Sequence, residues 1–120
     1  MKNLILLLTV LTLFSCSDDD KNTICVSFDK RQCMGDPWSS DVDSNADADV
    51  QSDQISEYFK SLNIEVENVK VDLDFHQIVC EACFVCPEGP RFFVEAEEAE
   101  ILKIEALELL NYNFTDCSEL

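Results

Sequence analysis

The sequence predicts an α+β domain, a two-layer sandwich in the order β-α-β-β-α whose three-stranded sheet is covered by two helices and stapled by disulfides. Three observations predict it. Apolar residues alternate with polar ones in three stretches and recur at helical spacing in two others. The helical stretches fall after the first strand and after the third, so both can lie on one side of a small sheet. Six cysteines follow residue 16, an even number in a short chain.

The first strand runs from Thr23 to Phe28, with Ile24, Val26 and Phe28 on one face. Residues 29–45 hold Gly35, Pro37 and many Asp and Ser residues, and read as a loop. Ile55, Tyr58, Phe59 and Leu62 then fall at i, i+3, i+4 and i+7, which predicts a helix from about Asp47 to Leu62. Asp47, Asp49 and Asp53 suit the positive end of its dipole, and Asn63 suits the left-handed position that ends it. Ile64 and Val66, then Val69, Val71, Leu73 and Phe75, predict a second strand with a bulge or bend at Glu67–Asn68, where the alternation slips by one residue. A second slip at His76–Gln77 brings in Ile78 and Cys80. Pro87-Glu88-Gly89-Pro90 reads as a turn and Phe92–Glu95 as a returning strand. From about Ala96 to Asn111 the spacing predicts a helix with Ala99, Leu102, Ala106, Leu109 and Leu110 inward and Asn113 placed to end it. Glu97, Glu98 and Glu100 suit its first turn. A right-handed crossover with parallel pairing is expected between the first two strands, and an antiparallel neighbour for the third. The result resembles a ferredoxin-like fold without its last strand.

Before this domain, in residues 23–120, stand two other segments. Met1-Lys2-Asn3, an apolar run from Leu4 to Phe14 and Ser15 form the three parts of a secretory signal, residues 1–15, and the run is too short to span a bilayer. Residues 16–22 are a polar, acidic tether. Leu13-Phe14-Ser15-Cys16 resembles the lipobox of bacterial lipoproteins. That resemblance implies cleavage before Cys16, acyl chains on the Cys16 sulfur and amine, and stable membrane attachment, since two or three chains hold where one does not. Ser17-Asp18-Asp19-Asp20 resembles the acidic export signal of Bacteroidota surface lipoproteins, which implies display on the outer face of the outer membrane. A solvated acidic tether has the same composition.

The six later cysteines are Cys25, Cys33, Cys80, Cys83, Cys86 and Cys117. In an exported small domain they read first as disulfides, and the spacing leaves their pairing open. Cys80, Cys83 and Cys86 lie close together, so the cluster is expected to bind down the N-terminal loop and the C-terminal tail. Zinc on the thiolates of Cys80, Cys83 and Cys86 is a rival reading, because the CxxC spacing suits a tetrahedral site. A redox pair at Cys80 and Cys83 is another, although no βαβ pattern surrounds it. Cys80-x-x-Cys83-x-x-Cys86-Pro87 also resembles the start of a bacterial ferredoxin run, but Pro90 stands where the fourth ligand belongs. Cys80 to Leu110, with its Cys86-Pro87-Glu88-Gly89 turn, is similar to a module of small exported cysteine-rich proteins, which implies no known activity.

Asp41, Asp43, Asn45, Asp47 and Asp49 place oxygen ligands at alternate positions and resemble an EF-hand calcium loop. Ala46 replaces the turn glycine and Ser52 the bidentate glutamate. The plainer reading is an acidic loop leading into a helix dipole. Asp72, Asp74 and His76 share one strand face and offer transition-metal ligands, or simply a solvent-facing side. His76 is the one histidine, so a Cys–His nucleophile has to use it. No serine sits in a nucleophile elbow, and with only Gly35 and Gly89 there is no glycine-rich phosphate loop. Trp38 can anchor a partner or cap one end of the core.

Charge bounds the function further. Eight basic residues face 25 acidic ones, a net charge of −17. Removal of the signal takes only Lys2 from the basic count and leaves −18. Such a chain repels phosphate backbones, so nucleic acid is not an expected partner. The expected function is a non-enzymatic binding or structural module, anchored to a membrane through lipid, with an envelope protein as its possible partner and no cofactor. Zinc or calcium binding and thiol–disulfide exchange are the alternatives.

Overall fold

The computed structural model describes residues 21–33, 35–77 and 86–120, without the side chain of Glu119. The signal and lipobox, the acidic export signal, Ile78, Cys80 and Cys83 lie outside the described residues. The elements are β1 (Thr23–Arg31), α1 (Ala48–Ser61), β2 (Asn68–His76), β3 (Pro87–Glu97), α2 (Glu98–Glu105) and β4 (Asn113–Thr115), followed by a 3₁₀ turn (Cys117–Glu119).

The fold is α+β, as the spacing predicts, but the sheet has four strands rather than three, in the order β2-β3-β1-β4. All its pairings are antiparallel. β1 and β2 run the same way without touching, because β3 lies between them, so the expected parallel pair does not form. The apolar run Phe92-Phe93-Val94 explains the exchange: all three side chains are buried, as a strand covered on both faces demands. The extra strand, β4, has three residues and pairs Cys25 with Thr115 and Val26 with Phe114. With it the element order becomes β-α-β-β-α-β, one strand more than expected.

Both helices pack on the face carrying Val26 and Phe28 of β1, Val71 of β2, and Phe92, Val94 and Ala96 of β3. Register aligns these residues in rows, Val71–Phe92–Phe28 and Val69–Val94–Val26. From α1 come Ile55 and Phe59, and from α2 Ile101 and Ile104. Trp38 reaches the same core from the loop after β1. It is 2% exposed, 4.9 Å from the Phe92 ring, while Phe28 stacks on Phe92 at 5.1 Å. Each such aromatic pair adds about 0.5–1.5 kcal/mol to the effect of area alone.

α1 begins and ends as expected. The Asp47 carboxylate caps it, accepting the Val50 N–H at 3.0 Å. At its end Asn63 takes φ 57°, with Ile64 N–H donating to Phe59 O and Asn63 N–H to Lys60 O, a Schellman closure. Ile64 is thereby buried, but Ile64 and Val66 belong to the connection and not to the second strand, which starts at Asn68. The chain bends at Glu67, just before β2, as expected, and a register shift falls within β2 between Asp72 and His76.

β3 is longer than expected. Pro87–Pro90 is its first part rather than a turn, with Gly89 at φ 58° opposite His76. Its far end runs to Glu97, so α2 starts later than expected and stops at Glu105. That changes the buried face: Ile101 and Ile104 point inward, while Leu102 is 61% exposed and Ala99 and Ala106 are exposed too. Leu109 is buried as expected, but beyond the helix, where Glu108 and Asn111 adopt positive φ and turn the chain back toward β1. Among the described residues no helix is long and apolar enough to cross a membrane.

The corrected face of α2 is testable. Ile101→Ala is expected to destabilise the domain by about 2–5 kcal/mol in urea unfolding. Leu102→Ala should change stability by less than about 0.5 kcal/mol.

Candidate functional site

The sheet face away from the helices carries the alternate residues of β1, namely Cys25, Ser27 and Asp29, all buried. Asp29 is 0% exposed and forms the densest polar cluster among the described residues. Arg91, its cross-strand partner in register, donates Nε to Oδ1 at 2.7 Å and Nη2 to Oδ2 at 3.0 Å. Asn111 Nδ2 donates to Oδ2 at 2.9 Å. His76 Nε2 lies 2.9 Å from Oδ1, close enough to engage it. The Arg91 guanidinium in turn sits 3.9 Å from the centre of the Phe75 ring.

Each element supplies its part for a local reason. Asp29 follows Phe28 and so faces the opposite side of β1. The shift between Asp72 and His76 releases the end of β2 from strict alternation, and His76 swings to Asp29 while Phe75 approaches Arg91 and Phe93. Phe75, expected inward, is 42% exposed for this reason. Asn111 is aimed by its left-handed backbone, and the Asp29 N–H donates to Leu110 O at 2.9 Å.

Burial pushes the Asp29 carboxyl toward its neutral form, but hydrogen bonds from Arg91, His76 and Asn111, with the Arg91 charge, outweigh it and hold the pKa below the ordinary carboxylate range. Both oxygens are engaged twice. A carboxylate so occupied is a poor base and a poor metal ligand, and its chemistry is cohesion.

The other residues singled out in the sequence are dispersed. Asp72 and Asp74 remain exposed, joined by the Asp74 N–H donating to Asp72 Oδ1 at 3.1 Å, and do not converge with His76. In the acidic loop Asp43 Oδ1 accepts the Asn45 N–H at 2.9 Å, and Asp47 is the cap of α1. Asp41 and Asp49 are exposed, and these carboxylates form no group of three within ligand distance among the described residues. Trp38 caps the core and, with Gln51, Val42 and the Arg31–Asp36 ion pair of 2.7 Å, walls a cavity of about 170 Å³.

Among the described residues the one potential metal-ligand trio is Cys25, Glu95 and Cys117, with ligand atoms within 4.8 Å of one another. Cys25 and Cys117 are joined to each other in a disulfide across 92 residues, so neither sulfur is a thiolate. Glu95 accepts the Thr23 hydroxyl at 2.9 Å. The expectation that the Cys80–Cys86 cluster binds the C-terminal tail is therefore corrected: Cys117 closes on β1, because β4 lays the tail along Cys25. Cys33 and Cys86 are disulfide-bonded as well. A zinc site at Cys80, Cys83 and Cys86 would need the sulfur of Cys86 as a thiolate.

Sequence reasoning missed the Asp29–Arg91 pair, whose members are 62 residues apart. The signal that could have found it is a lone acid continuing the alternation of β1 beyond Phe28.

Three stability tests follow from these links. The depressed Asp29 carboxyl stabilises the fold above its unfolded pKa, and that contribution is lost as pH falls through the folded value. Unfolding free energy should therefore drop in acid below about pH 4, and Asp29→Asn should flatten that part of the profile. Asp29→Ala should cost about 3 kcal/mol at neutral pH, because it leaves Arg91 without its counter-charge. Removing the Cys25–Cys117 bond by paired serines should cost about 4–5 kcal/mol, measured by urea unfolding under oxidising conditions. No known protein family, curated protein or solved structure matches this chain.

Proposed function

We propose that this chain is an exported lipoprotein, held by acyl chains on Cys16 at the outer face of the outer membrane, whose acidic domain serves as a binding or structural module without catalytic chemistry. One observation carries the reading: each described cysteine of the domain is oxidised, with Cys25–Cys117 closing nearly the whole fold. Such cross-links form and persist in oxidising compartments outside the cytosol, the destination that an export signal serves. The engaged state of Asp29 supports the non-catalytic part, since the most buried titratable group is consumed by cohesion. The high negative charge favours basic protein faces over phosphate-rich partners.

Intact mass of the protein extracted from membranes tests this reading. The expected chain begins at Cys16 and carries the mass of a diacylglycerol and an amide-linked acyl group. Cys16→Ser should abolish both the acyl mass and cleavage before residue 16. Protease added to whole cells should digest the native protein. Unchanged processing of the serine variant overturns the anchor, and full protection in intact cells overturns surface display.

A further inference from the structure

α1 carries polar groups that the fold leaves unanswered. Asp53, Glu57 and Ser61 recur at i, i+4 and i+8 and form one stripe along the helix, beside the buried Ile55, Tyr58 and Phe59. The loop after β1 docks next to this stripe. Its Val42 is buried, and the Asp43 N–H donates to Gln54 Oε1 at 2.9 Å. That docking brings Asp41 to the helix. Asp41, Asp53, Gln54, Glu57, Tyr58 and Ser61 then line a groove of about 240 Å³.

Asp53 and Glu57 are like charges one turn apart and repel each other. Asp53 has no ion pair among the described residues. Glu57 has Lys60 at 3.9 Å, with both side chains exposed, a pair worth little. Acids alone would make a solvated surface, and Tyr58 distinguishes this one. The residue is 8% exposed, and its ring packs 5.5 Å from that of Phe59. Burial first, and the charge of Asp41 second, raise its pKa, so the phenol is neutral and lies within reach of Asp41 on the groove side. Its hydroxyl has no hydrogen-bond partner among the described residues. A polar group withdrawn from water without a partner is costly, and a donor entering the groove would remove that cost.

The spread of the acceptors selects the ligand. Asp41, Asp53 and Glu57 do not bring their oxygens within 4.8 Å of one another. That is too wide for three of them to share a calcium ion, whose bonds are about 2.3–2.6 Å long. An ammonium is also a point charge. A guanidinium offers five N–H donors in one plane and reaches several separated acceptors at once.

We infer that this groove receives an arginine side chain from a basic segment of a partner protein, with the guanidinium against Asp41, Asp53 and Glu57 and one N–H donated to the Tyr58 hydroxyl. This inference rests on the binding-module reading proposed above and is independent of the acyl anchor. The excess of 25 acids over 8 basic residues draws such a segment toward the domain.

The test uses the full lipidated protein in detergent, with carbon-13 in its tyrosine rings. The probe is a capped glycine pentapeptide with a central arginine, compared at low salt with its lysine and citrulline counterparts. The arginine peptide should shift the ring signals of Tyr58 saturably and leave those of Tyr112, beyond α2, in place. Anisotropy of dye-labelled peptides should give several-fold weaker binding for lysine and none for citrulline. Asp53→Asn with Glu57→Gln should weaken arginine binding at least tenfold, and Tyr58→Phe several-fold. Glu98→Gln with Glu108→Gln removes the same charge elsewhere and should change it less than twofold. Equal losses in the two double variants overturn the groove and leave a diffuse acidic surface, so the binding-module reading survives. Equal binding of the lysine peptide, or a stoichiometric shift of Tyr58 by calcium alone, overturns the arginine assignment. Absence of binding by either basic peptide overturns both the groove and recognition through charge.

Discussion

A carboxylate sealed from water is tolerated only where its charge is answered, and Asp29 imposes that condition on the rest of the molecule. Its partners come from three separate places: His76 at the end of β2, Arg91 on β3 and Asn111 in the segment after α2. Each is delivered by an independent feature, namely the β2 register shift, the β1–β3 register and a left-handed backbone. A one-residue slip of β1 against β3 would carry Asp29 to the helix-facing side beside Phe92, turn Phe28 out of the core and leave Arg91 unanswered. An apolar pair could hold the strands as firmly. The buried ion pair adds a penalty on wrong registers, which apolar contacts between similar side chains supply poorly.

The same constraint explains why the C-terminal segment matters beyond its small area. α2 has only eight residues and buries Ile101 and Ile104, so it cannot by itself fix the chain that follows. Closure comes from a series of links to one strand: Leu110 O to the Asp29 N–H, Asn111 to the Asp29 carboxylate, the β4 ladder and Cys117 to Cys25. The disulfide limits the unfolded chain, while the hydrogen bonds choose among the folded arrangements it leaves open. β1 is thereby locked on both sides, by the longest strand and by the tail.

Much of this architecture was legible in the sequence where local rules decide. The acid-rich start of α1, the left-handed Asn63, the inward Ile55, Tyr58 and Phe59, and the first face of β1 follow from spacing and residue type alone. The α+β class and the two helices were legible for the same reason. What failed depended on distant partners. Glu97 looks like a helix-starting acid until β1 is seen to extend pairing that far, and the face of α2 turns with that shift. β4 is too short to show a period, and exists because Cys25 and Val26 offer it an edge. Of the candidate sites, the acidic loop was legible as a lead into the dipole of α1, while the capping bond of Asp47 was not. The Asp29 cluster was not, since no local signal joins residues 62 positions apart.

The distribution of the few cations completes the argument. With 8 basic residues against 25 acidic ones, long-range repulsion works against compactness. The cations stand mainly at junctions: Lys21 joins the entry of β1 to the ends of β2 and β3, Lys30 joins β1 to β3, Arg31 joins β1 to its following loop, and Lys103 bridges α2 to the chain after α1. The exposed ones are worth less than about 1 kcal/mol each, so cohesion rests on the aromatic core, the cross-links and Asp29. The acids far outnumber these cations, so most of their charge is not neutralised within the domain. If the domain is the binding module proposed above, a partner that answers this charge with basic groups would relieve repulsion that the folded domain carries by itself.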